Sequence, residues 1–425
     1  MDRQTTRNSQ KNINEPIRSA SLQTKSLQFD KHIYLDNAAT TRIADEVLQA
    51  MAEALKYNYG NASSLHTSGI KAKNALENAR SKIAAFINAE PSEIFFTSGA
   101  TESINTIIKQ IAFMFGNTND GANANINSNA ATNKKNHIIT SNLEHHAVLN
   151  TCKFLEQNGC DVTYLKVDKF GMVNLEDVAS SITSKTILVS IMHANNEIGT
   201  IQQIEEIAQI CKKHNVLFHT DAVQTFGKLP INVKKMNIDF LSASSHKLHG
   251  PKGVGLLYVR KGIKLVPLLH GGTQENNFRS GTENIPTIIG FQKAVEIAQK
   301  NMHEETVRIS KLRDKLITDV LQKIQGSSLN GHPTQRLLNN AHFSFKFVEG
   351  EQILKYLDAH GIEVSTGSAC TSKNLEPSHV LKAIGLKAAE LHGSVRITLS
   401  RYTTEDEIDY CVEMLEDAVN KLRKI

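Results

Sequence analysis

The chain has 425 residues, of which 40% are hydrophobic and 21% charged, with a formal net charge of +5. That length implies a large domain plus a smaller one, and the composition is that of a globular protein. No apolar run nears the roughly eighteen residues that cross a bilayer, and no Lys/Arg block marks a nucleic-acid surface, so membrane insertion and direct nucleic-acid binding are excluded.

In chain order, residues 1–30 are polar and lack an apolar stretch. They read as a disordered tail, and the chain as cytoplasmic. Arg3, Arg7, Lys11 and Arg18 keep a mitochondrial transit peptide as the alternative, against which stand Asp2 and Glu15. From 31 to 285 the pattern alternates. EIFFTSG (93–99) is a strand ending in Gly, followed by a helical TESINTIIKQIAFMF. Residues 116–136 hold 8 Asn in 21 positions, a low-complexity surface insertion. HIIT, DVTYLKV, TILVSIMH, VLFHTDA, FLSASS and GVGLLYV read as further strands, with helices at HHAVLNTCKFLEQNG and IEEIAQICKKH. Strands alternating with helices predict an α/β fold with a mainly parallel sheet covered on both faces. From 286 to 425 a long helix (287–324), AHFSFKF, a short helix at 350–360, SVRITLS and a final helix near 405–423 predict a smaller α+β domain. The segment before residue 46 is expected to pack with that domain or to bridge the two.

The five cysteines, at 152, 160, 211, 370 and 411, are odd in number and widely spaced. They resemble neither a disulfide framework nor a zinc site, and suit a reducing compartment. Cys370 differs from the rest. Its setting, STGSACTS (365–372), is small and polar, whereas a thiol that fills a core sits among large apolar residues. Cys370 is therefore either an inert surface thiol or a nucleophile.

Three further stretches carry chemistry. FTSGATESIN (96–105) turns from a strand into a helix, whose free N–H groups suit either a phosphate or an ordinary capping box. In FHTDAVQTFGK (218–228), Asp221 ends an apolar strand and needs a cationic partner there, such as a pyridinium nitrogen. In SASSHKLHGPKGVG (242–255), Lys247 follows a strand. It is either a solvated lysine or the Schiff-base partner of an aldehyde cofactor. His219 with Asp221, or His246 with His249, offers metal ligands without a convincing third, so no metal is expected. A phosphate loop, then an Asp, then a Lys is the order of anchors that pyridoxal phosphate needs.

With these in hand, the chain resembles the group I (NifS/IscS-like) cysteine desulfurases, fold-type I pyridoxal-phosphate enzymes of the class V aminotransferase family. The likeness runs from about 33 to 423 and is carried by YLDNAATT (34–41), GNASSLH (60–66), FTSGATES (96–103), EHHAVL (144–149), MHANNEIG (192–199), TDAVQ (220–224), SHKLHGPKG (245–253), RSGTEN (279–284), STGSACTS (365–372), LEPSHVLKAIG (375–385) and SVRITLSR (394–401). It implies a seven-stranded large domain and a small domain carrying the cysteine loop.

The resemblance also implies roles. Lys247 would bind the cofactor and shuttle protons, Asp221 would pair with the ring nitrogen, His145 would stack on the ring, and Gln224 would reach its phenolate oxygen. Ala100, Thr101, Ser244 and His246 would hold the phosphate, with Thr282 reaching the phosphate of a second subunit in a homodimer. Asn196 and Arg396, together with Asn37, would meet the substrate carboxylate. Cys370 would take sulfur from L-cysteine as a persulfide, releasing L-alanine, and pass it to an acceptor such as an iron–sulfur scaffold or a tRNA-thiolation protein. The C-terminal Lys-Leu-Arg-Lys-Ile, without the longer docking tail of some relatives, leaves that acceptor open. His146 reads as a surface side chain. Rival readings are a selenocysteine lyase or another fold-type I enzyme, and a catalytically silent sulfur-relay or scaffold subunit.

Overall fold

The computed structural model describes residues 32–116, 135–366 and 378–424. The chain opens with β1 (Ile33–Tyr34), α1 (Asp45–Tyr57) and α2 (Thr67–Phe86). The predicted alternation then follows: β2 (Ile94–Thr97), α3 (Ala100–Gly116), β3 (His137–Ser141), α4 (His146–Glu156), β4 (Asp161–Leu165), α5 (Leu175–Ser181), β5 (Thr186–Ser190), α6 (Ile204–Lys213), β6 (Leu217–Asp221), β7 (Phe240–Ser244) and β8 (Gly255–Val259). After a single turn, α7 (Gln274–Asn277), comes the long α8 (Ile285–Lys323). The remainder is β9 (Ser327–Asn330), β10 (Asn340–Phe345), α9 (Gly350–Asp358), β11 (Ile362–Glu363), α10 (His379–Ala383), α11 (Ala388–Leu391), β12 (Ser394–Thr398) and α12 (Glu405–Leu422).

Seven strands form one sheet in the order β2-β8-β7-β6-β5-β3-β4, parallel except for β8. The chemistry of β5 explains its central place: every residue of Thr-Ile-Leu-Val-Ser is buried, as a strand covered on both faces requires. Helix α6 shows the complementary pattern. Ile204, Ile207, Ala208 and Cys211 form its buried stripe, with Glu205 and Glu206 in the first turn and Lys212 and Lys213 in the last, matching the helix dipole at both ends.

A second sheet, β12-β10-β9, is antiparallel and packs with α9, α12 and the later part of α8. Helix α8 serves both cores: Ile288, Phe291 and Val295 lie in the core of the large sheet, whereas Ile309, Leu312 and Leu316 lie in that of the small one. The segment before residue 46 bridges them. Strand β1 pairs with β11, Ile33 and Leu35 enter the small core, and Thr41 Oγ1 donates to the carbonyl of His246 in the turn that follows β7 of the large sheet. Helices α1 and α2, strands β9 and β11, and the short α5, α7, α10 and α11 escaped the sequence reading. No helix among the described residues is long and apolar enough to cross a membrane.

Candidate active site

In open α/β sheets, ligands sit beyond the carboxyl ends of the strands. Here the ends of β2, β3, β5, β6 and β7 surround a cleft of about 570 Å³. Ten of the residues singled out above line it: Ala100, Thr101, His145, Asn196, Asp221, Gln224, Ser244, His246, Lys247 and Arg396.

One end is built by the first turn of α3. Thr97 and Ser103 share a hydroxyl hydrogen bond of 2.9 Å, Ser103 Oγ donates to the carbonyl of Leu256, and Glu102 Oε2 accepts the N–H of Ser98. These contacts fix the turn and leave first-turn N–H groups free to meet an anion. A Cβ on Gly255 would lie 2.5 Å from the Cα of Gly99, so glycine there lets β8 approach the turn. Behind it, Arg80 holds Glu275 with two hydrogen bonds of 2.7 and 2.9 Å, and Glu275 also accepts the N–H of Phe96. That buried pair ties down a segment with positive φ at Glu275, Asn276 and Asn277, in which Arg279 pairs with Glu102.

Asp221 ends β6. Its Oδ1 accepts the N–H of Val223 at 2.9 Å. Burial pushes its carboxyl up to about 6, opposed by that hydrogen bond and by the Lys247 ammonium. A carboxylate so placed is short of positive charge. Lys247 follows β7 in a short turn, and its Nζ donates to the carbonyls of Ala38 and Ala39. His145 caps α4: its Nδ1 accepts the N–H of Ala147, so the proton of the neutral ring sits on Nε2. Burial, reinforced by the Lys247 ammonium, pushes its pKa down to about 4, so the ring is neutral.

Gln224 donates from Nε2 to the carbonyl of Ala38, while its Oε1 is buried without a donor. Rotating the amide exchanges the two groups, so Gln224 can meet either a donor or an oxygen. His246 contacts Thr40 through Nδ1 at 3.1 Å and is also pushed down to about 4 by burial. At the opposite wall, Arg396 donates from Nη1 to the carbonyl of Asn196 and from Nη2 to Asp36, while its buried Nε has no acceptor.

Three expectations fare differently. Asn37 does not line the cleft. Its Nδ2 is committed to the carbonyls of Tyr34 and Thr398, and it faces a smaller cavity behind Lys247; Ala38, Ala39 and Thr40 line the cleft instead. Thr282 is exposed and lines a neighbouring pocket that shares Ser98 and Gly253 with the cleft. Cys370 lies outside the described residues. The chain on either side of it is nonetheless tied to one wall. Ser365 exchanges two backbone hydrogen bonds with Arg396, and Ser378 donates to the buried Glu197 at 2.5 Å.

The other cysteines differ from a nucleophile. Burial pushes the thiols of Cys152, Cys211 and Cys411 up to about 12, which suppresses the thiolate. His146 is not a surface side chain: its ring lies 4.8 Å from that of His379, tilted by 50°, and its Nε2 is buried.

The model of the class-V aminotransferases matches residues 33–411. A cysteine desulfurase IscS of Dictyoglomus turgidum is 51% identical over 395 residues, covering 93% of this chain and 96% of its own. The chain belongs to the cysteine desulfurases. A second family member, from Methanosarcina thermophila, is 50% identical over 396 residues, covering 93% of this chain and 94% of its own. Among solved structures, a NifS-like protein matches with a TM-score of 0.84 at 41% identity, covering 92% of this chain and all of its own. SspA in complex with cysteine matches at 0.75 and 39% identity, covering 88% of this chain and all of its own.

A cysteine desulfurase of this family is a pyridoxal-phosphate enzyme, and the cleft fits that group. The α3 first turn suits its phosphate and the cation-poor Asp221 its ring nitrogen. Gln224, with an unsatisfied amide, suits its ring oxygen, and Lys247 its aldehyde. Asp36, Glu144 and Glu197 were missed in the sequence. All three stand inside the motifs given above, yet only burial and pairing distinguish them: Glu144 accepts from Ser141 Oγ and the N–H of Met192, and Glu197 from Ser378.

Proposed function

We propose that the cleft seats pyridoxal phosphate on the residues named above and that Cys370 accepts sulfur from L-cysteine. The observation that carries this reading is convergence. Lys247, Asp221, His145 and the α3 first turn meet in one cleft, and the described ends of the Cys370 segment are tied to Arg396 through Ser365 and to Glu197, the neighbour of Asn196, through Ser378. When bound, the cofactor supplies an electron sink that acidifies the substrate's Cα–H and activates its sulfur. Lys247 provides an amine that can move a proton at Cα. Asp221 keeps the ring nitrogen cationic, and the neutral His145 offers a flat face and an Nε2 proton. Arg396 offers its guanidinium to the substrate carboxylate, with Asn196 beside it.

The Cys370 thiolate attacks the substrate sulfur. The carbon–sulfur bond breaks, a sulfur–sulfur bond forms, and the carbon skeleton leaves, after protonation, as L-alanine. The persulfide then passes to an acceptor protein for iron–sulfur assembly or tRNA thiolation. A homodimer completes this reading. Leu48, Leu55, Tyr57, Tyr59, Leu65 and Ile70, from α1 through the connecting segment into α2, are all exposed, apolar groups that a second copy would cover. Incubation with L-cysteine followed by mass mapping tests the reading. A sulfur adduct on the Cys370 peptide is expected, and alanine release without one would overturn it.

A further inference from the structure

We propose that Asp36 is a positioning residue: it orients the guanidinium of Arg396 in the cleft wall, so that the site demands an α-carboxylate. The proposal rests on the reading of Arg396 as the carboxylate holder.

The Arg396 side chain is only 2% exposed, and its Nη2 lies 2.7 Å from Asp36 Oδ1. A guanidinium this deeply buried needs its donors satisfied and its charge balanced. Nη1 is committed to the carbonyl of Asn196 at 3.1 Å. Nε is buried without an acceptor, each Nη carries a second N–H, and Arg396 lines the cleft. Asp36 and Asn196 thus anchor the guanidinium by two of its five N–H groups. The others are left for a ligand oxygen.

Asp36 is itself held by its backbone. Tyr34 donates its hydroxyl to the Asp36 carbonyl, and Thr398 donates its N–H to Leu35. An isolated bridge pairs Asp36 with Thr398, two residues beyond Arg396 in β12. The carboxylate is therefore a fixed acceptor rather than a mobile surface group. Its charge also acts in the opposite sense. With Asp36 ionised the pair is neutral before substrate arrives, so a bound carboxylate meets repulsion as well as the guanidinium. Orientation and charge can be separated. Asn at position 36 retains an oxygen that accepts from Nη2 but carries no charge, whereas Ala removes both.

The test compares the holoenzyme with Asp36→Ala, Asp36→Asn and Arg396→Ala variants. Two probes that lack the sulfur to be transferred and differ only in the carboxylate, L-alanine and ethylamine, are titrated by calorimetry. Asp36→Ala should weaken L-alanine about tenfold, because a hydrogen bond to a charged group is lost, and leave ethylamine unchanged. Asp36→Asn should bind L-alanine as tightly as the parent or a few-fold tighter. In turnover, Asp36→Ala should raise KM for L-cysteine about tenfold with kcat within about twofold. Equal weakening of both probes, unchanged L-alanine binding by Asp36→Ala, or an Asp36→Asn variant as weak as Asp36→Ala would each overturn the proposal. If Arg396→Ala also failed to separate the probes, the carboxylate reading of Arg396 would fall with it. If Arg396→Ala separated them and Asp36→Ala did not, only the role of Asp36 would fall.

Discussion

The Nζ of Lys247 lies 2.5 Å from the carbonyl oxygen of Ala38, a residue 209 positions earlier in the chain, and 2.7 Å from that of Ala39. The bridging N-terminal segment thus holds the amine at the cleft before any cofactor arrives. Lys247→Ala should leave no cofactor covalently attached after borohydride reduction and should abolish alanine production. Peptide mapping checks the attachment, and a labelled peptide elsewhere in the variant would transfer the role to another lysine.

Asp221 yields a prediction with a definite sign. Its folded carboxyl titrates near 6, above the ordinary 3.8, because it is buried. A raised carboxyl stabilises the fold at low pH, and that contribution is lost as pH rises through about 6. Cofactor-free Asp221→Asn protein should therefore melt higher than the cofactor-free parent at about pH 7, with the gap closing near pH 4. Loaded with cofactor, the variant should turn over about 10²-fold more slowly, having lost the ring's charge partner. Thermal melts across pH and alanine release provide the two readouts. A lower melting temperature in the cofactor-free variant would contradict the burial argument.

His219 behaves oppositely. It lies between Ser190 Oγ at 2.8 Å and Ser242 Oγ at 3.0 Å, and burial pushes it down to about 3. A depressed histidine contributes stability that is full above its unfolded pKa of about 6.5 and is lost as pH falls through the folded value. His219→Gln should cost about 2 kcal/mol near neutrality through its lost hydrogen bonds. The difference from the parent should shrink toward about pH 4, as followed by denaturant unfolding. A gap that widens in acid would contradict the assignment.

The role of Cys370 can be tested apart from the cofactor. Cys370→Ala should keep the bound cofactor and its response to L-cysteine, while alanine release falls about 10²-fold or more. Alanine substitutions at Cys152, Cys211 and Cys411 should not lower sulfur loading of the Cys370 peptide, since those thiols are pushed up to about 12. Parent-like turnover by Cys370→Ala would remove the nucleophile assignment.

The exposed apolar stretch of α1 and α2 predicts an oligomer. Replacing Leu48 and Leu55, exposed at 55% and 64%, by Glu should shift a dimer toward monomer in light scattering while circular dichroism keeps the parent's helical content. An unchanged dimer would place the interface elsewhere.

The sequence by itself determined the alternating sheet, the long α8 and the set of chemical anchors. These are local properties: apolar runs at strand spacing, helical periodicity, and motifs whose residue types match a cofactor's phosphate, ring nitrogen and aldehyde. Helices α1 and α2 went unread, and Asn37 was placed at the substrate because it stands in the YLDNAATT motif. Only the tertiary structure turns its amide toward Tyr34 and Thr398, because that choice depends on which strand pairs beside it. Likewise, nothing local distinguishes Asp36 from an exposed aspartate or His146 from a surface histidine. Their roles come from Arg396, 360 positions away in sequence, and from His379. Chain folding brings those partners together, and burial then makes each pairing matter, because a charge or ring nitrogen removed from water must find its partner in the protein.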